Sequence, residues 1–422
     1  MRIVEQEIKL DWTGRLKDFK FFCGKGKQPI RLVANGVDGN HLRCSISMLR
    51  PCDNLSQFKK HLFACSKKPL MYDDKFNVVL TIPTGLGASV GGHAGDAGAV
   101  ARLFASVCDT LITHPNVVNA SDFNEMTDNT LYVEGYALTQ YMLGQIGLQR
   151  VRQNRVLVVI DGSAEQQYID ATINVVNAAR ATYGFNCTEI VVLNPSFKMK
   201  AEMSEEGRAT GIVDNLDELY NILSERKGLY DAVALSSLIE ISQSARDHYY
   251  NHGGVNPWGG VEAMLTHAIS YSFGVPCAHA PMMESVEVEQ TEYGVIDPRD
   301  GAEIVSVTYL PCVLKGLNRA PRLCEPDVHS IADASCLVMP RMCLGLPALA
   351  ACERGIPIIA VNDQLQVEAV NCTDYVFAIV VDNYIEAAGV VAALRTGISV
   401  ESLRRPLEKV KVSLKNEQST FS

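Results

Sequence analysis

The sequence predicts an α/β protein of two Rossmann-like, doubly wound lobes with mostly parallel sheets, and a small strand-rich appendage at its amino terminus. Three observations lead there. Short runs rich in β-branched residues, Val78–Ile82, Val156–Ile160, Glu189–Leu193 and Ala232–Leu235, alternate with stretches of helical periodicity, the order that parallel βαβ units produce. A helix running into glycine, then proline, then an apolar strand occurs twice, at Gly274-Val275-Pro276 and Gly355-Ile356-Pro357. At 422 residues the chain exceeds the size at which one core keeps growing. The expected organisation is an accessory piece over residues 1–75, a first lobe over 76–245 and a second over 246–422.

In chain order, Ile30–Val33 and Leu42–Met48 flank a turn at Asn35–Asn40 and predict a hairpin. A helix over 54–70 follows, capped by Asn54 or Ser56. After the Val78–Ile82 strand, Gly85, Gly87, Gly91, Gly92, Gly95 and Gly98 fall within fourteen residues, denser than turns require, so the backbone approaches a ligand or another segment there. Asp96 is placed to cap the next helix. Helices are expected at Tyr132–Leu148, Gln166–Tyr183 and Leu216–Lys227, and a strand at Thr210–Asp214. Val286–Leu310 alternates around Asp297-Pro298-Arg299-Asp300-Gly301 and predicts a hairpin excursion; Val400–Lys415 reads as a charged surface helix.

A formal charge of -10 and a pI near 5.5, with no basic stripe, exclude a protein held on nucleic acid by phosphate contacts. Thirteen dispersed cysteines without a C-x-x-C pair read as reduced thiols. The first residues, MRIVEQEIKLDW, lack an apolar signal core, and no long apolar run predicts a membrane span. The expectation is a soluble cytoplasmic protein whose partner is a small anionic molecule, without nucleic acid or membrane, with a homo-oligomer left open.

Candidate chemistry concentrates in three places. The glycine loop, with Gly85, Gly87, Gly91 and Gly92, could cradle an anion on converging amides, although Val90 breaks the dinucleotide fingerprint and no Walker lysine follows. His93 and Asp96, with His114, Asn116, Asn119, Asp122 and Asn124 after the next strand, would meet at one sheet edge and offer an acid/base pair and ligand-binding amides. Asp96 also reads as a helix cap, and Asp122 and the asparagines as turn makers. The third place is His248 to Glu262, where Asn256 and Trp258 are ligand-binding candidates; Glu262, also a ligand-binding candidate, and His267 are lesser ones that read equally as ordinary polar-face residues. His248 and His252 have helical metal spacing, but Tyr249 stands where a zinc protease has glutamate, and no third ligand is assignable. Asp161-Gly162-Ser163, His279, Glu284, Arg341 and Asn362-Asp363 fall at expected strand ends, a placement shared with turn makers. No cofactor and no metal is named by these patterns.

The blocks Gly91-Gly92-His93-Ala94-Gly95-Asp96-Ala97, Thr113–Ala120 and Asn256–Ala263 resemble a domain-of-unknown-function family associated with cyanobacteria and some other microbes, over roughly residues 77–390. That resemblance implies grouping the three blocks in one site and implies no activity. The functional expectation is an enzyme acting on a small anionic metabolite by general acid/base chemistry in an interlobe cleft, with His93 or His114 moving the proton and Trp258 closing over the ligand. Two alternatives are a nucleotide-sugar transferase with Leu344–Asp363 on the donor side, and a non-catalytic ligand sensor or assembly subunit.

Overall fold

A computed structural model describes residues 1–11, 26–50, 62–66, 68–93, 95–120, 123, 126–283, 294–304, 309–327, 329–367 and 370–413. The chain opens with β1 (Arg2–Asp11), β2 (Gln28–Asp38) and β3 (His41–Arg50); β2 and β3 form a hairpin that turns through Gly39 at φ +60°, and β1 pairs antiparallel with the other edge of β3. β4 (Asn77–Leu80), α1 (Gly98–Val107), β5 (Thr110–Thr113), α2 (Pro115–Val118), β6 (Thr130–Tyr132), α3 (Gly135–Met142) and β7 (Gly147–Gln149) follow. Next come β8 (Val156–Asp161), α4 (Gln166–Tyr183), β9 (Cys187–Leu193), β10 (Lys198–Met203), β11 (Ala209–Asp214), α5 (Asp217–Glu225) and β12 (Ala232–Ser237). α6 (Gln243–His252), α7 (Gly259–Phe273), β13 (Cys277–Pro281), α8 (Pro298–Ile304), α9 (Leu310–Asn318) and β14 (Arg322–Cys324) precede the return. The chain ends through β15 (Cys336–Pro340), α10 (Leu346–Arg354), β16 (Ile358–Val361), β17 (Ile379–Val381) and α11 (Tyr384–Arg395).

Two parallel sheets carry the α/β character, as expected. One has six strands in the order β17-β16-β15-β4-β5-β6, the other four in the order β13-β12-β8-β9. The strands β4, β8 and β12 are buried on both faces, which is why they read as continuous apolar runs. Alternate residues enter two cores: Val78, Leu80, Val158 and Ile160 pack in one, Val79, Leu157 and Val159 in the other. Gly184, Gly274 and Gly355 end α4, α7 and α10 in the left-handed conformation, the cap expected at the last two.

The six-stranded sheet draws on both ends of the chain, because β15 returns beside β4. The four-stranded sheet is wound from the intervening residues, so the 245/246 position falls between the paired neighbours β12 and β13. The antiparallel sheet is also composite: its order is β10-β11-β1-β3-β2, and the β10–β11 hairpin from mid-chain extends the three amino-terminal strands.

Four sequence expectations need correction. The Tyr132–Leu148 helix covers only Gly135–Met142, because Tyr132 pairs in β6 and Gly147–Gln149 pair as β7. Pro298–Ile304 is a helix rather than part of a hairpin, because Asp297 accepts the Arg299 amide and opens a helical turn; the flanking 284–293 and 305–308 lie outside the described residues. The carboxy-terminal helix stops at Leu403 and an exposed coil runs on past Pro406. α1 is capped by no side chain, since the Asp96 carboxylate is held by Arg299 Nε at 3.3 Å. Most of the expected 54–70 helix lies outside the described residues.

Candidate functional site

A cavity of about 520 Å³ opens where the carboxyl ends of the two parallel sheets face each other. Thr81, His114 and Glu134 reach it just after β4, β5 and β6; Ile239, Pro281 and Leu344 come from the ends of β12, β13 and β15. α7 forms one wall with Glu262, Ala263, Thr266 and His267, and Ile30–Val33 of β2 close another.

Glu134 is buried where β6 turns into α3, and its carboxylate accepts the amides of Tyr136 at 2.9 Å and Ala137 at 3.2 Å. His267 Nδ1 lies 2.7 Å from the same carboxylate, a contact that is an ion pair when the imidazole is protonated. Burial pushes the Glu134 carboxyl up, yet His267 and the two amides outweigh it and the net is below the usual carboxylate value. Position 135 must be glycine for this pair: a Cβ there would stand 2.6 Å from His267 Cε1.

The second pair joins Glu262 to His279. His279 Nδ1 lies 2.8 Å from Glu262 Oε1, and its Nε2 lies 2.9 Å from Ser237 Oγ at the end of β12. His279 is almost wholly buried and about a quarter of the Glu262 side chain is exposed on the cavity wall, so the carboxylate is the accessible end of the row. The Ser237 hydroxyl also lies 3.3 Å from Met199 Sδ, an alternative acceptor. It can therefore donate to a neutral His279, or accept from a protonated one while donating to sulfur.

His114 lies on the same cavity, next to the Glu134–His267 pair. Its Nε2 accepts the Ile82 amide at 3.1 Å, which places the ring proton on Nδ1, and Nδ1 has no hydrogen-bond partner among the described residues. Burial, then the neighbouring His267 charge, push this imidazole down to about 4, with Glu134 opposing. It is a neutral donor at neutral pH.

The other sequence candidates divide by position. Asn116, Asn119, Asn256, Trp258 and Glu262 are on the wall with His114. Asn116 Nδ2 donates to the Gly91 carbonyl at 3.0 Å and Asn119 Nδ2 to Tyr132 Oη at 2.7 Å, so both brace the loops they stand in. Asn256 Oδ1 accepts the amides of Trp258 and Gly259 and opens α7, while its Nδ2 donates to Glu303. Trp258 packs edge-on to Tyr249 with ring centres 5.6 Å apart.

His93 is not on the wall. It is buried behind it, with Nδ1 2.8 Å from Tyr249 Oη and 3.2 Å from Asp300; Tyr249 in turn donates to the wall residue Glu303 at 2.5 Å. Gly85, Gly87, Gly91 and Gly92 also stay off the wall and serve close packing. A Cβ at Gly87 would meet Gln366 at 2.7 Å, one at Gly91 would meet Ile82 at 2.8 Å, and one at Gly92 would overlap the Ala88 carbonyl. Asp96 bonds Arg299 away from the cavity, and Asp122 lies outside the described residues. His248 and His252 stand on the exposed side of α6, rings 5.2 Å apart. Among the described residues no group of three or more His, Cys, Asp or Glu is placed to hold a metal ion. Sequence reading passed over Glu134, Ser237 and Arg31; only the position of Glu134 directly before Gly135 at a helix start signals it.

The sequence profile of the family described as a protein of unknown function, DUF3326, matches residues 77–404. A relative named an uncharacterized lipoprotein, from Synechococcus sp., is 34% identical over 336 residues, 77% of this chain and 92% of its own. No solved structure matches the chain. The relative's name overturns the cytoplasmic placement expected from the amino terminus and the cysteines. The physical reason is that Cys44, Cys108, Cys277, Cys312, Cys336, Cys343 and Cys372 are free and buried, where a thiol packs as a small apolar group and reports nothing of compartment. Among the described residues no helix is long and apolar enough to cross a membrane.

Proposed function

We propose that this chain, which belongs to the DUF3326 family of proteins of unknown function, is an enzyme acting on a small anionic metabolite by general acid/base chemistry in the cavity. The observation that carries the reading is the pairing of Glu262 with His279 and of Glu134 with His267, two carboxylate–imidazole pairs on one cavity beside the neutral His114. Glu262 is the group that takes a proton from the ligand, since it alone of its row is accessible. His279 and Ser237 hold it in place and spread the charge change along the row. His114 Nδ1–H is the donor to an oxygen that gains negative charge as the proton leaves, a task for which a neutral imidazole suits better than a cation that would surrender its proton. Trp258 and the Tyr250 ring beside it give the ligand an apolar cover.

The test is solvent exchange. The full chain is incubated in D2O with a panel of small carboxylic and phosphorylated acids, and each is followed by proton NMR for deuterium uptake or conversion. The expected result is turnover of at least one acid, reduced at least about 100-fold in Glu262→Gln with ligand affinity within a few-fold. Equal turnover by Glu262→Gln, or no exchange and no conversion of any acid by the wild type, would overturn the proposal.

A further inference from the structure

The cavity wall carries a buried positive charge, Arg31, whose ion-pair contact is long and shared. Arg31 of β2 makes no hydrogen bond among the described residues, although a guanidinium has five N–H donors, and its side chain is only 11% exposed. Its nearest carboxylate oxygen, Glu5 Oε2, is 4.0 Å away and is taken by Thr210 Oγ1 at 2.7 Å, while the other Glu5 oxygen is taken by Arg208. Two guanidinium groups therefore share one carboxylate, leaving one positive charge uncompensated in a site shielded from water. Burial and the Arg208 charge lower the Arg31 pKa to about 10, with Glu5 opposing, as fits a cation lacking its counter-charge.

The second observation is independent of the first. Of the helix amino termini that reach the cavity, two have their first amides occupied by a side chain: Glu134 takes those of α3 and Asn256 those of α7. The amino terminus of α10 has no side-chain cap and no acid in its first turn, and Gly345, Leu346, Pro347 and Ala348 all line the cavity. Its first amides point along the helix axis and carry the positive end of the helix dipole. β2 brings Arg31 to it: Val33 bridges to Gly345, the Ala34 amide donates to Leu344 O at 3.4 Å, and Arg31 is two residues back on the same side of the strand.

We infer that Arg31 and the open amino terminus of α10 form an anion subsite, and that it holds the terminal carboxylate or phosphate of the ligand whose other end meets Glu262. This rests on the reading of the cavity as a substrate site. The guanidinium offers a two-pronged contact to an oxyanion and the Leu346 and Ala348 amides offer the rest. A monoanionic group neutralises the surplus charge of the Arg31–Glu5–Arg208 cluster.

Two variants of the full chain test it, with inorganic phosphate and acetate as probes read by calorimetry and thermal unfolding. One or both anions are expected to raise the wild-type melting temperature with dose. Phosphate alone identifies a phosphorylated substrate, and acetate a carboxylic one. Arg31→Met is expected to weaken the response at least tenfold. Gly345→Asp places a carboxylate at the helix cap, where a Cβ meets nothing nearer than Pro347 Cδ at 3.7 Å. It is therefore expected to fold, to melt about 1–3 °C higher without added anion, and to respond to neither probe. No response in the wild type, or a Gly345→Asp protein that binds the probes as tightly as wild type, overturns the subsite whether or not Arg31→Met folds. Anion binding without any turnover would leave the subsite standing and remove the acid/base reading. Turnover untouched by both substitutions would do the reverse.

Discussion

His114 carries a pH dependence of its own. In an unfolded chain an imidazole titrates near about 6.5, whereas the folded ring is held at about 4 by burial and by His267. As pH falls through the unfolded value, unfolded chains take up a proton that the folded protein refuses. The stability due to His114 is thus fully present above about 6.5 and is lost as pH falls towards 4, up to about 3 kcal/mol in all. Glu134 is depressed too, but its loss lies below the usual carboxylate value, so the difference between wild type and His114→Gln in urea unfolding between pH 7 and 5 reads the share of this histidine. His114→Gln is expected to flatten the stability profile over that interval; a slope equal to wild type would assign it to another group. A histidine before proline at a strand end could be picked from the sequence, and so could Trp258 in its glycine-rich loop. The partners that define the site could not, because Glu134 with His267 and Arg31 with α10 meet only through the fold.

Elements with dense local signals were legible. α4 spans Gln166–Tyr183 as its periodicity and Gly184 dictate, and β4, β8 and β12 sit where the β-branched runs are. The elements passed over are those whose reason is remote. β7 and β14 have three residues each and exist by pairing with one another; β10, Lys198–Met203, alternates in burial because β11 fixes its register and α7 packs on one face of the sheet they share. The glycine loop was legible as a place of close approach, and what approaches proves to be protein. That separates two otherwise similar substitutions. Gly92→Ala drives a methyl into the Ala88 backbone, which cannot give way as a flexible side chain would, and is expected to cost about 2–3 kcal/mol. Gly389→Ala, on the exposed side of α11 with open space around it, is expected to gain about 0.5–1 kcal/mol from helix propensity. Chemical denaturation of both variants measures the contrast, and a tolerated Gly92→Ala would mean the loop has a looser arrangement.

For the whole molecule, the question is whether the first fifty residues are an appendage or a structural part. The family match begins at residue 77 and leaves out β1–β3, which favours an appendage. The pairing argues otherwise, because β11, inside the matched region, has β10 on one side and β1 on the other. Without β1–β3 the β10–β11 hairpin stands alone, and isolated hairpins are marginal in water. α7 packs on β1, β2 and β11 while presenting Glu262 and His267 to the cavity, so its inner residues Val261 and Met264 would lose cover and its position would drift. Ile3, Ile30, Leu42, Ile46 and Leu49, all fully buried, would leave the core with the deleted strands. Arg31 would go with them, and the cavity would lose a wall. A protein starting at residue 70 is therefore expected to bind a hydrophobic dye, to lose near-ultraviolet dichroism and to be cut rapidly by protease at α7, while the full chain resists. If the shortened protein instead kept its dichroism and its protease resistance, β1–β3 would be an appendage after all, and the Arg31 subsite would have to be an addition to a cavity that stands without it.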